Sequence, residues 1–135
     1  MPVVVSCILV NEGKILLLQR SQEVGTYKGL WGGITGFVEP GETPLQTAIK
    51  EIYEETKISE HDIILKQRLD PISFTDEYQR QRYDWVVHPF IFLLITKKKI
   101  QLDWEHIGYQ WICPEDIDKV NTVPRLKEIV AKSCR

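Results

Sequence analysis

The stretch GFVEPGETPLQTAIKEIYEETKI, residues 36–58, decides how this chain of 135 residues is interpreted. It predicts a loop followed by a helix, because Thr43 is suited to the N-cap, Pro44 to the first turn and Gln46 to a capping box. The helix is expected to run to about Thr56. Three glutamates lie on it within about one and a half turns, and their mutual repulsion is costly unless something binds there.

Two neighbouring faces of this helix differ in character. At about 100° per residue, one stripe is apolar and the next carries Glu51, Glu54 and Glu55. A glutamate cluster on a helix is most often simply solvated. Here the preceding loop adds further acidic and glycine residues, so loop backbone and helix carboxylates can converge on one cation. The loop residues concerned are Gly36, Glu39, Gly41 and Glu42.

A cluster of this kind suits a hard divalent cation. Mg²⁺ combines a few carboxylates with substrate phosphates and water. Such an ion neutralises charge on a diphosphate and assists deprotonation of a water, while a spare carboxylate accepts the proton. Zinc is disfavoured, because there is no HExxH motif and the histidines are scattered. The pattern therefore predicts metal-assisted hydrolysis.

The whole chain is the size of one domain. A hydrophobic content of 43% over residues 1–135 supports a single core. The net charge of -2 gives no general attraction to duplex nucleic acid or an anionic membrane. No apolar run reaches the roughly 20 residues that span a bilayer. Three separated cysteines without a CxxC pair favour reduced thiols in the cytoplasm: Cys7, Cys113 and Cys134.

Mixed α and β structure is indicated by the order of apolar runs. The first two runs flank turn residues at 11–14 and predict a hairpin, whereas residues 21–36 are glycine-rich and interpreted as irregular. The runs lie at 3–10, 15–20, 63–69 and 85–95, with helices at 44–56 and from about Val123 to Ser133.

Residues 36–58 resemble the Nudix box, G-x5-E-x7-R-E-U-x-E-E-x-G-U, in which U is aliphatic. The match fails at two fixed positions, where Lys50 replaces arginine and Lys57 replaces glycine. The matching residues are Gly36, Glu42, Glu51, Ile52, Glu54, Glu55 and Ile58. The resemblance implies an α+β Nudix fold, a mixed sheet sandwiched between α-helices, with the box forming a loop, a helix and a loop.

The same resemblance implies roles for the residues of the box. Glu54 and Glu55 are expected to bind Mg²⁺ or Mn²⁺, and Glu51 to bind metal or act as a base. The backbone carbonyl of Gly36 is expected to contribute to the metal site. Lys50 is expected to pair with a neighbouring glutamate and hold its rotamer.

Two more stretches resemble Nudix enzymes that hydrolyse dihydroneopterin triphosphate. DWEHIGYQW, residues 103–111, resembles E-H-x-x-Y-x-W, and WGGITG, residues 31–36, resembles W-x-x-V-T-G. Glu105 thereby becomes a candidate metal ligand or base, with simple exposure as the alternative. Trp31 becomes a candidate for substrate binding.

The polar stretch of residues 74–83 is interpreted as a loop that selects the substrate. Arg80 and Arg82 are candidates to bind phosphate, and Tyr78, Tyr83 or Trp85 to stack on a base or pterin. The alternative is that the arginines are solvated and the aromatic rings pack on the core.

The expected activity is metal-dependent hydrolysis of a nucleoside triphosphate, or a related pterin triphosphate, to a monophosphate and pyrophosphate. Nucleotide sugars, ADP-ribose and dinucleoside polyphosphates remain alternative substrates. A module that binds nucleotide or RNA without cleaving it is an alternative class, which only Lys50 and Lys57 favour. Nudix proteins are often dimers, so the resemblance leaves a homodimer open.

Overall fold

The computed structural model describes residues 2–133 of the chain. Within them, one eight-stranded sheet is accompanied by helices α1 (Pro44–Thr56) and α2 (Leu126–Ser133) and by 3₁₀ segments at Glu60–Asp62 and Pro114–Lys119. The strands are β1 (Val3–Asn11), β2 (Lys14–Arg20), β3 (Trp31–Gly32), β4 (Ile34–Phe37), β5 (Ile63–Arg68), β6 (Ile72–Tyr78), β7 (Gln81–Leu94) and β8 (His106–Ile112).

Strand β1 lies at the centre of the sheet. It pairs antiparallel with β2 and β4, and parallel with β7 from Val3↔Val86 to Val10↔Leu93. Strand β8 pairs with β2, and β5 and β6 pair with different parts of the long β7. The sheet is therefore mixed, as predicted.

Each face of the sheet carries its own apolar core. Side chains alternate along β1, so Cys7 belongs to one core and Ile8 to the other. Ile52 of α1 packs in the first core, and Leu126 and Ile129 of α2 pack in the second. The predicted sandwich of a sheet between helices is confirmed.

The predicted start of α1 is confirmed atom by atom. The backbone N–H of Gln46 donates to the Thr43 hydroxyl at 3.2 Å, and the N–H of Thr43 donates to the Gln46 side chain at 2.9 Å. The helix ends at Lys57, which adopts a left-handed conformation with φ of 65°. Its N–H donates to the carbonyl of Tyr53 at 2.8 Å, which closes the last turn.

Strands occupy the end of one stretch interpreted as irregular and most of another, while residues 21–30 are irregular as predicted. Residues 21–36 contain β3 and the start of β4, because glycines there allow close pairing: a Cβ on Gly33 would lie 2.7 Å from the Cys7 carbonyl oxygen. Residues 74–83 are not a loop but the β6–β7 hairpin. Its turn is formed by Gln79 and Arg80, with φ of 51° and 66°.

Helix α2 begins at Leu126 rather than near Val123. The N–H of Val123 donates to the carbonyl of Trp31 at 2.9 Å, so this segment runs beside β3. Arg125, with φ of 69°, then turns the chain into the helix.

The thiols of Cys7 and Cys113 are free, and Cys134 lies outside the described residues. Over residues 2–133, neither α-helix combines the length and the apolar character needed to cross a membrane.

Candidate active site

Three carboxyl groups from two separate segments meet beside the sheet. Glu51 and Glu55 are four residues apart on one face of α1, and Glu105 immediately precedes β8. One oxygen of each lies within 4.8 Å of the others. Ser21 fixes the approach of Glu105, because its N–H donates to the Glu105 carbonyl at 2.8 Å. We call Glu51, Glu55 and Glu105 the acid cluster.

Glu55 is the most constrained member of the acid cluster. Its side chain is 1% exposed, and across residues 2–133 neither carboxyl oxygen has a hydrogen-bond partner. Burial, followed by the neighbouring Glu51, raises the pKa of Glu55 well above its usual value. A buried carboxylate without a partner costs several kcal/mol, and a bound cation removes that cost. The cluster therefore fits a divalent ion.

The other two members are also perturbed. Burial is the largest cause that raises the pKa of Glu51. Burial also raises the pKa of Glu105 to about 7, with Asp103 adding to the effect. Carboxyl groups so close together cannot all ionise without a compensating positive charge.

Gly36 lets Glu51 lie against the sheet. A Cβ at this position of β4 would overlap the Glu51 carboxyl carbon and Cγ. Gly36 pairs with Val5 of β1, so the strand cannot move aside. The glycine therefore places backbone of β4 directly beside a predicted ligand.

Glu54 stands apart from the acid cluster. Its side chain is exposed and lines the cavity described below, together with Glu51 and Glu105. It thus lies at the rim of the site, where a second ion or a substrate phosphate has access to it.

Lys50 pairs with Glu42, at the other end of the motif. Its Nζ lies 2.8 Å from Glu42 Oε2, and the other oxygen accepts from the Thr47 hydroxyl at 2.9 Å and the Glu39 N–H at 3.2 Å. The hydrogen bond from Lys50 is the largest cause that lowers the pKa of Glu42. This pair ties the loop before α1 to the helix.

A cavity of about 560 Å³ opens beside the acid cluster. Its lining includes acidic side chains, those of Glu39, Glu51, Glu54, Asp103 and Glu105. It also includes apolar and aromatic side chains, those of Phe37, Phe74, Trp85, Val87, Leu126 and Ile129. Its size falls within the range of about 300–1,000 Å³ for small-molecule sites.

Arg20 lines the same cavity and was missed by the sequence analysis. Its Nε donates to the carbonyl of Thr26 at 2.9 Å and its Nη1 to the hydroxyl of Thr35 at 3.4 Å, yet among the described residues it pairs with no carboxylate. Burial lowers the pKa of Arg20. A guanidinium held by neutral acceptors beside a cavity suits an anionic ligand. The available signal was its place at the charged end of the buried strand β2.

Trp85 is held in place by two tyrosines. Its Nε1 donates to the Tyr27 hydroxyl at 3.1 Å, and that hydroxyl donates to Asp76 at 2.7 Å. The ring of Tyr83 stacks on Trp85 at 5.2 Å with an angle of 12°. The indole is therefore a fixed wall of the cavity.

Four of the residues predicted to bind substrate, Arg80, Arg82, Tyr83 and Trp31, lie outside the lining of this cavity, whereas the stacking candidate Trp85 lines it. Arg80 is exposed at the hairpin turn, and Arg82 is 73% exposed with its Nε 3.3 Å from Asp84. Tyr83 does not line the cavity but stacks on Trp85, which does. Trp31 packs in the second core beside a separate depression. The structure brings together Gly36 and the acid cluster, but not these four.

A family comparison agrees with this geometry. The NUDIX domain family model matches residues 1–132. The chain belongs to the Nudix domain family. A dihydroneopterin triphosphate diphosphatase of Haemophilus influenzae is 28% identical to this Nudix domain over 110 residues, 76% of this chain and 66% of the relative. The phosphatase NudJ of Escherichia coli is 36% identical over 72 residues, 51% of this chain and 45% of the relative. The chain thus spans about half to two thirds of the length of these curated relatives.

The fold is also that of solved Nudix structures. A C. elegans Ap4A hydrolase in a binary complex superposes with a TM-score of 0.81, covering 99% of this chain and 96% of its own. Its sequence identity is 22%, so this likeness establishes the fold alone.

Proposed function

We propose that this Nudix domain hydrolyses a phosphoanhydride bond in a nucleoside triphosphate or a related pterin triphosphate, using Mg²⁺ or Mn²⁺. The products are a monophosphate and pyrophosphate. One observation carries the proposal: the unpartnered carboxyl group of Glu55 lies with Glu51 and Glu105 beside a cavity that has an aromatic wall.

The acid cluster supplies the metal ligands in this proposal. Glu51, Glu55 and Glu105 would hold the ion, Glu54 would extend the site at the rim, and Gly36 would offer its carbonyl. A bound Mg²⁺ or Mn²⁺ supplies charge neutralisation on the phosphates and a more acidic water. Lys50 acts at a distance by fixing Glu42 and hence the loop that leads into α1.

Proton transfer and phosphate binding fall to two side chains of the cavity. With the carboxyl oxygen that does not bind the ion, Glu105 would accept the proton of a water whose oxygen bonds to phosphorus as the bridging P–O bond breaks. Pyrophosphate leaves with the electron pair of that bond. Arg20, which has hydrogen bonds only to neutral acceptors, is placed to donate to the anionic phosphates.

The rest of the substrate belongs in the aromatic part of the cavity. Trp85 and Phe74 form a wall suited to a flat heterocycle, such as a base or a pterin. The resemblance to the Haemophilus influenzae relative, named for dihydroneopterin triphosphate, supports this class. A dinucleoside polyphosphate is the second candidate, since the superposed C. elegans protein is an Ap4A hydrolase.

A substrate panel tests this proposal. We expect purified protein with Mg²⁺ to release pyrophosphate and a monophosphate from a nucleoside or pterin triphosphate, and to lose the activity in EDTA. Glu105→Gln should lower turnover by about 10²- to 10⁴-fold. Glu60→Gln, an exposed glutamate outside the cavity, is the matched control. Binding without cleavage of any compound would instead indicate a binding module.

Location and assembly are proposed on narrower grounds. The free thiols of Cys7 and Cys113 support a reducing cytoplasm. Light scattering of the purified chain tests whether it forms the homodimer that is common among Nudix proteins.

A further inference from the structure

A line of polar groups runs behind the acid cluster, from Asp103 through His106 to Glu55. The Nδ1 atom of His106 lies 3.1 Å from Asp103 Oδ1, and its Nε2 atom lies 3.6 Å from Glu55 Oε1. The His106 and Glu55 side chains are 2% and 1% exposed, so their contact is shielded from bulk solvent. The imidazole therefore bridges two carboxyl groups.

His106 and Glu55 are in contact, but the facing atoms of the two side chains have no hydrogen-bond partner. In residues 2–133, Nε2 of His106 and both oxygens of Glu55 lack a hydrogen-bond partner. The separation of 3.6 Å is longer than a hydrogen bond. The ring thus limits where the carboxyl group can turn, and both Glu55 oxygens stay available as ligands. Buried polar atoms in this condition call for a functional explanation.

Asp103 fixes the orientation of the ring. A carboxylate oxygen accepts hydrogen bonds, so this contact favours the tautomer of His106 that carries its proton on Nδ1. The same Asp103 oxygen accepts the backbone N–H of Glu105 at 3.2 Å. One carboxylate therefore sets both the imidazole behind Glu55 and the backbone of Glu105, so it connects the helix side of the cluster with the strand side.

We propose that His106 is a positioning residue for the acid cluster: held by Asp103, its ring keeps the Glu55 carboxyl group turned toward the other two ligands. This inference rests on the proposed metal-dependent function. Groups behind metal ligands commonly fix ligand geometry, and their replacement costs about 10- to 100-fold in metal affinity.

Asparagine and glutamine at position 106 form a matched pair of variants. The Asn amide occupies the region of Nδ1 and keeps the contact with Asp103, whereas the Gln amide reaches the region of Nε2 and keeps the contact with Glu55. The measurement is Mn²⁺ affinity by EPR, without substrate. We expect His106→Gln to remain within about threefold of the wild type, and His106→Asn to bind about 10- to 100-fold more weakly.

His88 provides the control. It is a half-buried histidine on β7 outside the cavity lining, and His88→Asn and His88→Gln should leave Mn²⁺ affinity unchanged. Thermal unfolding in EDTA verifies that each variant is folded. Equal losses in the two His106 variants, or wild-type affinity in His106→Asn, would show that the ring only fills space. If the wild type binds no Mn²⁺, the proposed function fails and this inference fails with it.

If the variants do not fold, NMR of the wild type tests whether His106 positions Glu55. In protein with ¹⁵N-labelled histidine, we expect Nδ1 of His106 to carry the proton and the Nε2 resonance to shift on saturation with Mg²⁺. A ring that exchanges between tautomers, or an Nε2 resonance that does not shift when Mg²⁺ binds, would overturn the assignment of His106 as a positioning residue.

Discussion

Glu42 and Glu55 belong to the same loop and helix but have opposite surroundings. Glu42 accepts hydrogen bonds from Lys50, Thr47 and the backbone of Glu39, and its pKa is lowered. Glu55 is buried without any hydrogen-bond partner in the described chain, and its pKa is raised. The first carboxylate stabilises the fold on its own, whereas the second is costly until a cation arrives. The absence of a partner for Glu55 therefore distinguishes the proposed ligands from the scaffold of this motif.

Of the substitutions that test this contrast, Glu55→Gln should have the largest effect on turnover. Removing a ligand charge at the centre of the acid cluster is expected to reduce Mg²⁺-dependent turnover by at least about 100-fold. Glu42→Gln, the same chemical change at the paired carboxylate, should lower turnover by no more than about fivefold. Steady-state kinetics with the best compound of the panel compare them; equal losses would remove the distinction.

Arg20 extends the contrast to positive charge. Lys50 has a carboxylate partner and Arg20 has none among the described residues, so Arg20→Met should weaken substrate binding more than Lys50→Met does. A lost charge-assisted hydrogen bond of about 1.5–3 kcal/mol predicts a roughly 10- to 100-fold lower kcat/KM. An unchanged kcat/KM would exclude Arg20 from phosphate binding.

Replacing Lys50 should have a moderate effect on turnover, because Lys50 acts through its contact with Glu42. Lys50→Arg keeps a donor for Glu42 and is expected to preserve or raise activity. Lys50→Met should lower turnover by roughly three- to fivefold, the range for a partly exposed ion pair. A double-mutant cycle with Glu42→Gln measures the coupling, and additive effects would show that the pair does not act through this contact.

The two glutamates should also give opposite pH dependences of stability without metal. Because the folded-state pKa of Glu55 is raised, its proton stabilises the fold at low pH, and that contribution declines as pH rises above about 4.3, the ordinary glutamate value. Because the pKa of Glu42 is lowered, its contribution is present above about 4.3 and is lost as pH falls.

Thermal unfolding in EDTA measures this difference. Glu55→Gln should be increasingly more stable than the wild type from pH 5 to pH 8, by on the order of 1 kcal/mol or more. Glu42→Gln should be less stable than the wild type at pH 7, and the gap should close in acid. Parallel profiles for the two variants would contradict the contrast in surroundings.

Lys57→Gly should have the smallest effect. The left-handed conformation at Lys57 favours glycine by about 1 kcal/mol, which predicts a gain in stability. The Lys57 ammonium lies 5.1 Å from the Tyr53 ring centre, a contact worth about 0.5 kcal/mol that the substitution removes. The net increase should be a few tenths of a kcal/mol by urea unfolding, with a decrease pointing to a stronger role for the lysine.

Local patterns in the sequence were sufficient to predict much of the scaffold. The helix cap at Thr43 and the stripe carrying Glu51 and Glu55 depend on contacts within a few residues. The prediction of irregular structure is confirmed for residues 21–30 but was wrong for most of residues 31–36, and the loop assigned to residues 74–83 was wrong. Strand pairing with distant segments overrode local composition there.

The substrate side of the site depended on contacts that no local pattern contains. Arg80 and Arg82 were predicted to bind phosphate because of their charge, but they lie on a hairpin where their side chains are exposed to solvent. Arg20 was not among the predicted site residues, whereas Trp85 was one of the candidates for stacking; the fold places both at the cavity.

The sequence by itself determined the motif: the order of loop, capped helix and acidic stripe, and the two lysines that depart from the family pattern. Only the tertiary structure decided which charges are paired and which are buried alone. That difference arises because Glu105 and His106 approach α1 through the pairing of β8 with β2, far along the chain. Burial and partner geometry are properties of the packed molecule, and they separate Glu55 from Glu42.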